Sequence, residues 1–282
     1  MNEQYLEALD QLAASLSANA ETFYLDGLVS DNSGTTARVD LGREHRKGVP
    51  EIVLADTKSP EQIVAIVSAF LAHTGRAIIS RVRPELVGTL REHFSEAVVE
   101  VRELARVVIV RATDMPRRYT GGRVGIISAG TSDIPVAEEA RVIAEEMGCV
   151  VTAIYDVGVA GLHRLFPPLR TLLKEGVDAI VVAAGMDGAL PSVVAGLVPV
   201  PVIGLPTSVG YGFGGQGAGA LAAMLQTCVP GLAVVNIDNG VGAGATAALI
   251  ANRVALARAA MTENSSQQLR THKAGAAPRG QK

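Results

Sequence analysis

The sequence predicts an α/β protein in two parts: a three-layer C-terminal domain built on a mainly parallel sheet, preceded by a smaller α/β domain. Two patterns carry this. Five continuous apolar runs, at 124–128, 150–155, 179–184, 202–205 and 233–237, are separated by helical segments of about the crossover length that parallel strands need. Ahead of them, shorter β-rich runs alternate with helical patterns. The two regions meet at 112–122, a linker-like stretch with Pro116, Arg117, Arg118 and two glycines.

Taken in order, residues 4–18 place apolar side chains at helical spacing and predict an N-terminal helix. The stretch 28–48 is polar and ends in a basic cluster of Arg43, His45, Arg46 and Lys47. Strands follow at 51–55, 77–80, 97–101 and 107–110, with helices after Ser59 and over 84–94. Ser59-Pro60-Glu61 is a start signal, with Ser59 as N-cap and Pro60 at the first helical position. The expected organisation is an N-terminal domain over 1–115, a catalytic domain over 122–262 and a polar, basic, disordered tail over 263–282.

A chain of 282 residues with 48% hydrophobic and 19% charged residues is long and apolar enough for one large core or two modest ones. Its net charge of −3 gives no whole-protein attraction to nucleic acid or anionic membrane, so any anion site is local. Met1 leads into an amphipathic acidic stretch rather than a signal sequence, and glycine, proline or polar residues break every long apolar run. A soluble, cytoplasmic protein is expected. Cys149 and Cys228 are too few for a disulfide framework and lack metal-ligand spacing; each is either a small buried hydrophobe or a reactive thiol.

Parallel sheets place ligand sites beyond the carboxyl ends of their strands. Four segments sit at such ends. In Ser128-Ala-Gly130-Thr131-Ser132-Asp133, glycine and the amides of a helix start suit an anion, and equally suit an ordinary capped turn. In 156–164, His163 and Arg164 suit proton transfer and phosphate binding, or are surface residues. In 185–191, Asp187 lies between glycines after a buried strand, which is costly unless the carboxylate is paired or functional. The fourth combines 206–215, with Thr207, Ser208 and Tyr211, the pair Thr227-Cys228, and 236–244, with Asn236 and Asp238. Fourteen of the 30 glycines fall between Gly185 and Gly244, as tight loops against a ligand or a partner subunit require.

Within these segments five ordered motifs, at 128–133, 158–164, 184–194, 206–212 and 234–240, resemble the pyridinium-3,5-biscarboxylic acid mononucleotide synthases of nickel-pincer cofactor assembly. A weaker likeness at 40–57, through Arg43, Arg46, Gly48, Pro50 and Glu51, extends the match across most of the chain. The resemblance implies a flavodoxin-like C-terminal domain similar to the phosphoribosylaminoimidazole carboxylase catalytic subunit, assembled as an octamer. It implies a substrate, nicotinic acid adenine dinucleotide, with CO2 as co-substrate, no bound organic cofactor, and Mg2+ carried largely by the substrate. It places the nucleophilic cysteine on Cys228. It also assigns proton handling to Asp187, where such synthases usually carry glutamate, and to His163, and substrate contacts to Arg164 and the 128–133 loop. The substrate contacts expected in the fourth segment are Thr207, Ser208, Tyr211, Asn236 and Asp238.

Two other classes stand beside this one: a purine-pathway aminoimidazole ribonucleotide carboxylase or mutase, which needs no cysteine nucleophile, and a nucleotide-binding module without turnover. A dinucleotide dehydrogenase is disfavoured because no Gly-x-Gly-x-x-Gly follows the strand at 124–128. Residues 183–252 hold only two charged side chains, Asp187 and Asp238, so part of that surface is expected to be buried between subunits. Light scattering should therefore show a symmetric oligomer; a stable monomer at micromolar concentration would exclude it.

Overall fold

A computed structural model describes residues 26–30 and 36–275; the helix expected over 4–18 lies outside them. The first described elements are an antiparallel ribbon, β1 (Asp26–Ser30) and β2 (Thr36–Asp40), and a one-turn helix, α1 (Arg43–Lys47), closed by Gly48 at φ 70°. The sequence gives no strand signal here because polar residues mask a short alternation that buries Val39.

Then come β3 (Ile52–Leu54), α2 (Pro60–Thr74), β4 (Arg76–Ser80), α3 (Pro84–His93), β5 (Val98–Arg102) and β6 (Val107–Arg111). Helix α2 starts where predicted. Ser59 Oγ accepts from the Gln62 amide at 3.3 Å, and Gln62 Oε1 accepts from the Ser59 amide at 3.1 Å, a reciprocal capping box. Its buried residues, Ile63, Ile66, Val67 and Phe70, recur at helical spacing and face the sheet. That sheet has the order β3-β4-β6-β5; β3 and β4 are parallel and the other pairs antiparallel.

The rest alternates regularly: β7 (Arg123–Ser128), α4 (Ile134–Glu146), β8 (Val150–Ile154), α5 (Phe166–Glu175), β9 (Ala179–Ala184), α6 (Leu190–Ala195), β10 (Val202–Pro206), α7 (Ala218–Leu225), β11 (Leu232–Val234) and α8 (Gly240–Gly275). All five strands run parallel in the order β11-β10-β9-β7-β8. This is the predicted three-layer flavodoxin-like sheet. Val124, Ile126, Val181 and Ala183 face α4 and α8, while Ile127, Ile180 and Val182 face α5, α6 and α7. Residues buried on both faces explain why these strands read as continuous apolar runs rather than alternating ones.

Helix α4 lies between the two sheets. Ile78, Val107 and Ile109 of the four-stranded sheet join the same core cluster as Ala137, Ala140 and Ile143 of α4. Small residues let α8 approach closely. A Cβ on Gly244 would stand 2.3 Å from the Ala140 carbonyl oxygen, so only glycine fits. Ala243, Ala247, Ala248 and Ala251 are buried beside it.

Two expectations differ here. Among the described residues, the segment Gly240–Thr262 is long and apolar enough by length and composition to cross a membrane. Scattered polar residues hid this, since its hydropathy is an average over alanines rather than an unbroken run. Its buried alanine face against α4 marks a core helix. Helix α8 also continues to Gly275, through residues expected to be disordered; 263–275 contains no proline and several helix formers. Residues 276–282 lie outside the described part.

Charge completes the junction. Glu146 accepts from Arg111 Nη2 at 2.7 Å and Arg76 Nη1 at 2.9 Å, all three side chains 9% exposed or less. Arg76 also reaches Glu44, and Arg102 reaches Glu145 at 3.0 Å. Removing one partner of such a buried set leaves an uncompensated charge. Glu146→Ala should cost about 3–5 kcal/mol in urea unfolding, against under about 1 kcal/mol for Glu175→Ala on the exposed end of α5.

Candidate active site

In the parallel sheet the strand order reverses between β7 and β9, which opens a crevice at their carboxyl ends. Asp133 organises it. Its Oδ2 accepts from the Gly130 amide at 2.8 Å, and its Oδ1 accepts from the Gly185 amide at 3.0 Å and from Thr207 Oγ1 at 2.6 Å. One carboxylate thus ties the loops after β7, β9 and β10. Ser128 adds the loop after β8, its Oγ accepting from the Asp156 amide at 3.2 Å. Gly185 is obligatory in this arrangement, because a Cβ there would lie 2.2 Å from the Val209 carbonyl oxygen.

Ser128, Asp133 and Thr207 are therefore buried braces whose polar atoms already have partners. Thr131 and Ser132 are the exposed part of the same turn, ahead of α4. Ser208 is exposed, and its amide donates to Asp238 Oδ1 at 2.8 Å. Asp156, Met186 and Asp238, one on each of three loops, adopt φ of 58°, 50° and 52°. Non-glycine residues hold such conformations only where the surroundings enforce them, and the positions cluster at this crevice. Asn236 is exposed and turns back on its own chain, Oδ1 accepting from the Ile237 amide at 2.9 Å. Tyr211 is 82% exposed.

The proton-handling candidates are placed less tightly. Asp187 is exposed on the turn after β9, and among the described residues its contact is the Ala189 amide at 3.4 Å. The expectation that burial made this carboxylate costly is corrected: the turn bulges into solvent, so no desolvation penalty arises. His163 is exposed in the 3-10 segment Val159–Arg164. Arg164 is held by Asp156 at 2.9 Å, and a phosphate there would compete with that pair.

The two thiols differ sharply. Cys149 is buried, its Sγ 3.3 Å from Asn252 Oδ1, and burial pushes its thiol up to about 11. Cys228 is exposed, between α7 and β11. Its neighbour Thr227 is fixed by Ser192 Oγ at 2.9 Å. None of the hydrogen bonds around Asp133 involves Cys228, whose loop leads into the amino end of β11 rather than leaving a carboxyl end. The Thr227–Ser192 hydrogen bond sets the Cys228 loop against α6, the helix that follows the Asp187 turn.

The sequence missed one feature entirely. A cavity of about 350 Å³ opens beside Ser208 and Asp238, and its far wall is Asp56, Arg81 and Arg106 of the N-terminal half. Nothing in the local pattern of those arginines signals it. No group of three or more His, Cys, Asp or Glu suited to a metal occurs among the described residues.

With this geometry in view, the AIR carboxylase family model matches residues 123–275, more than half of the chain. The chain belongs to the AIR carboxylase family. Its N-terminal half matches a LarB/PurE-like N-terminal domain over residues 31–112, in agreement with the two-part resemblance read from the motifs. An uncharacterized protein of Methanocaldococcus jannaschii is 42% identical over 217 residues, 76% of this chain and 83% of that protein. N5-carboxyaminoimidazole ribonucleotide mutase of Thermotoga maritima is 33% identical over 135 residues, 45% of this chain and 74% of that enzyme. Phosphoribosylaminoimidazole carboxylase of Schizosaccharomyces pombe is 32% identical over 133 residues, 45% of this chain and 23% of that protein. AIR carboxylase membership makes the chain an enzyme of the carboxylase and mutase class.

For this AIR carboxylase family member, thiol chemistry offers a direct check. The buried Cys149 should resist alkylation at pH 8 while Cys228 reacts, read by peptide mass mapping. Because its folded pKa is raised, Cys149 favours folding below its free value of 9.0, and that contribution should fade as the pH climbs toward about 11. Fast labelling of Cys149 in the folded protein would contradict its burial.

Proposed function

We propose that this enzyme carboxylates the pyridinium ring of nicotinic acid adenine dinucleotide at C5 and hydrolyses its phosphoanhydride, giving pyridinium-3,5-biscarboxylic acid mononucleotide and AMP. The observation that carries the proposal is the exposed thiol of Cys228 on an AIR carboxylase scaffold joined to a LarB/PurE-like N-terminal domain. A purine carboxylase has no use for a nucleophile. A pyridinium ring does, because its C5 is too electron-poor to attack CO2.

The Cys228 thiolate adds to C4 and turns the ring into a dihydropyridine. The electron pair of its enamine then forms the C5–CO2 bond. A base removes the C5 proton, the electrons restore the aromatic ring, and the C4–S bond breaks with return of the thiolate. Asp187 is the proposed base, with His163 as a second proton carrier. Thr131 and Ser132 meet the nucleotide phosphate, alongside Arg164 and the loops of Ser208, Tyr211, Asn236 and Asp238. Water cleaves the anhydride; Mg2+, if carried in by the substrate, would supply charge neutralisation at the leaving phosphate.

Subunits are proposed to meet over the charge-poor surface that carries Cys228, so that a neighbouring subunit closes the site. Supporting this, Met186, Tyr211, Phe213 and Leu225 are exposed, large and unpartnered around the charge-poor region. The octamer implied by the motif resemblance, in the cytoplasm, is the assembly proposed. The second reading is aminoimidazole ribonucleotide carboxylation, favoured by the names of the Thermotoga and Schizosaccharomyces relatives.

Both substrates should be incubated with CO2 and the products weighed by mass spectrometry. The bis-carboxylated mononucleotide plus AMP is the expected outcome; carboxylation of the ribonucleotide alone would select the second reading. Cys228→Ser should fold and assemble, yet lose turnover by at least about 10²-fold, as a serine ionises and leaves poorly. Normal turnover in that variant would rule out the covalent route.

A further inference from the structure

The carboxyl-end face holds more than the Asp133 crevice. The cavity between the two halves is walled by Asp56, Arg81 and Arg106 on one side and by Glu139, Ser208 and Asp238 on the other. It adjoins the crevice through the loop of Ser208 and Val209. Val209 also lines it, and the Val209 carbonyl accepts from the Met186 amide at 2.9 Å, one residue before Asp187.

Its two arginines are fixed by backbone. Arg81 and Arg106 both adopt left-handed conformations, φ 57° and 53°. The Val82 amide donates to the Arg106 carbonyl at 2.8 Å and clamps the two turns side by side. Beneath them Ser80 donates to Glu139 and ties the end of β4 to α4. The floor of the cavity is thus held by both halves of the molecule.

Two arginines share the wall with three carboxylates, Asp56, Glu139 and Asp238, and Arg106 is the group open to an anion. Arg81 donates to the Asp238 carbonyl at 3.3 Å and to Asp56 at 3.4 Å, the latter an ion pair about 40% exposed on each side and readily exchanged. Among the described residues no hydrogen bond or ion pair engages the Arg106 guanidinium. Of the carboxylates, Asp238 is turned to the Ser208 amide, and Glu139 is buried and takes the Ser80 hydroxyl, with burial raising its pKa. Asp56 is the one an incoming anion must displace. Residues 183–252 contain no lysine or arginine, so in the C-terminal half the crevice has Arg164 for one phosphate and no further cation from that stretch for a second.

We propose that this cavity is the adenylate subsite of the dinucleotide, with Arg106 and Arg81 receiving its phosphoryl group. The proposal rests on the dinucleotide reading above for the identity of the ligand and deepens it by giving the N-terminal half a task. The crevice holds the mononucleotide end, and the N-terminal arginines hold the AMP end. Guanidinium groups suit this because their planar fork meets two phosphoryl oxygens at once.

The test is calorimetric titration of AMP into the full chain, first alone and then with saturating nicotinic acid mononucleotide. AMP should bind in both, since the two ligands occupy different subsites. Arg106→Gln should weaken AMP about tenfold or more, the loss of one charge-assisted contact, and Arg81→Gln should act in the same direction. Mononucleotide affinity should move less than about twofold in either variant, which also reports an intact fold. Failure of the wild type to bind AMP, displacement of AMP by the mononucleotide, unchanged AMP affinity in both variants, or equal loss of both ligands would each overturn the subsite. Turnover judges the parent reading separately: a wild type that binds AMP through Arg106 but forms no carboxylated product refutes that reading and leaves the subsite standing.

Discussion

Helix α4 is the element on which the rest of the molecule depends. It lies between two sheets, and most of its polar residues are buried with its apolar ones. Its Glu145 and Glu146 meet Arg102, Arg76 and Arg111 of the four-stranded sheet, while Glu139 takes the Ser80 hydroxyl at the far end. Buried charges add little net stability over an apolar packing of the same shape. What they supply is registry: each glutamate finds its arginine in only one docking of the N-terminal sheet against α4. The alanine and glycine face of α8 permits this by letting α4 sit deep in the molecule.

That registry reaches the crevice. Helix α4 starts immediately after the Thr131–Asp133 turn, so the same helix that docks the N-terminal half also sets the position of Asp133. Asp133 then aligns Gly130, Gly185 and Thr207, and with them the loops after three strands. The left-handed residues at Asp156, Met186 and Asp238 can be held because these braces over-determine the loops. Outside these braces Thr131, Ser132, Asp187 and Ser208 are exposed.

Charge is distributed unequally between the halves. The N-terminal sheet and its connections are rich in arginine, while the stretch from β9 to α8 is almost uncharged and ends in exposed aromatic and aliphatic side chains such as Tyr211 and Phe213. A surface of that kind is unfavourable in water and is suited to contact between subunits. Cys228 is exposed within this same charge-poor stretch.

The sequence by itself determined a great deal. Continuous apolar runs announced the parallel strands, because a strand covered on both faces shows no alternation. Ser59-Pro60 announced the start of α2 through its own hydrogen bonding. The order of the glycine-rich motifs placed the site at the strand ends and pointed to the family. What it could not contain was anything that depends on which side of a surface a residue falls. Asp187 looks buried beside its strand and is exposed; that Asp133 and Thr207 brace three loops is not written in their own segments. Cys149 and Cys228 are equivalent as letters, yet one lies under α8 and the other faces solvent. The ribbon of β1 and β2 is held by pairing partners rather than by a strong local pattern. Arg81 and Arg106 face Ser208 and Asp238 only because α4 docks one half on the other. Local propensity and hydrophobic period are written along the chain, whereas burial, ion-pair partners and clefts between sheets arise from contacts distant in sequence, and only the tertiary structure decides them.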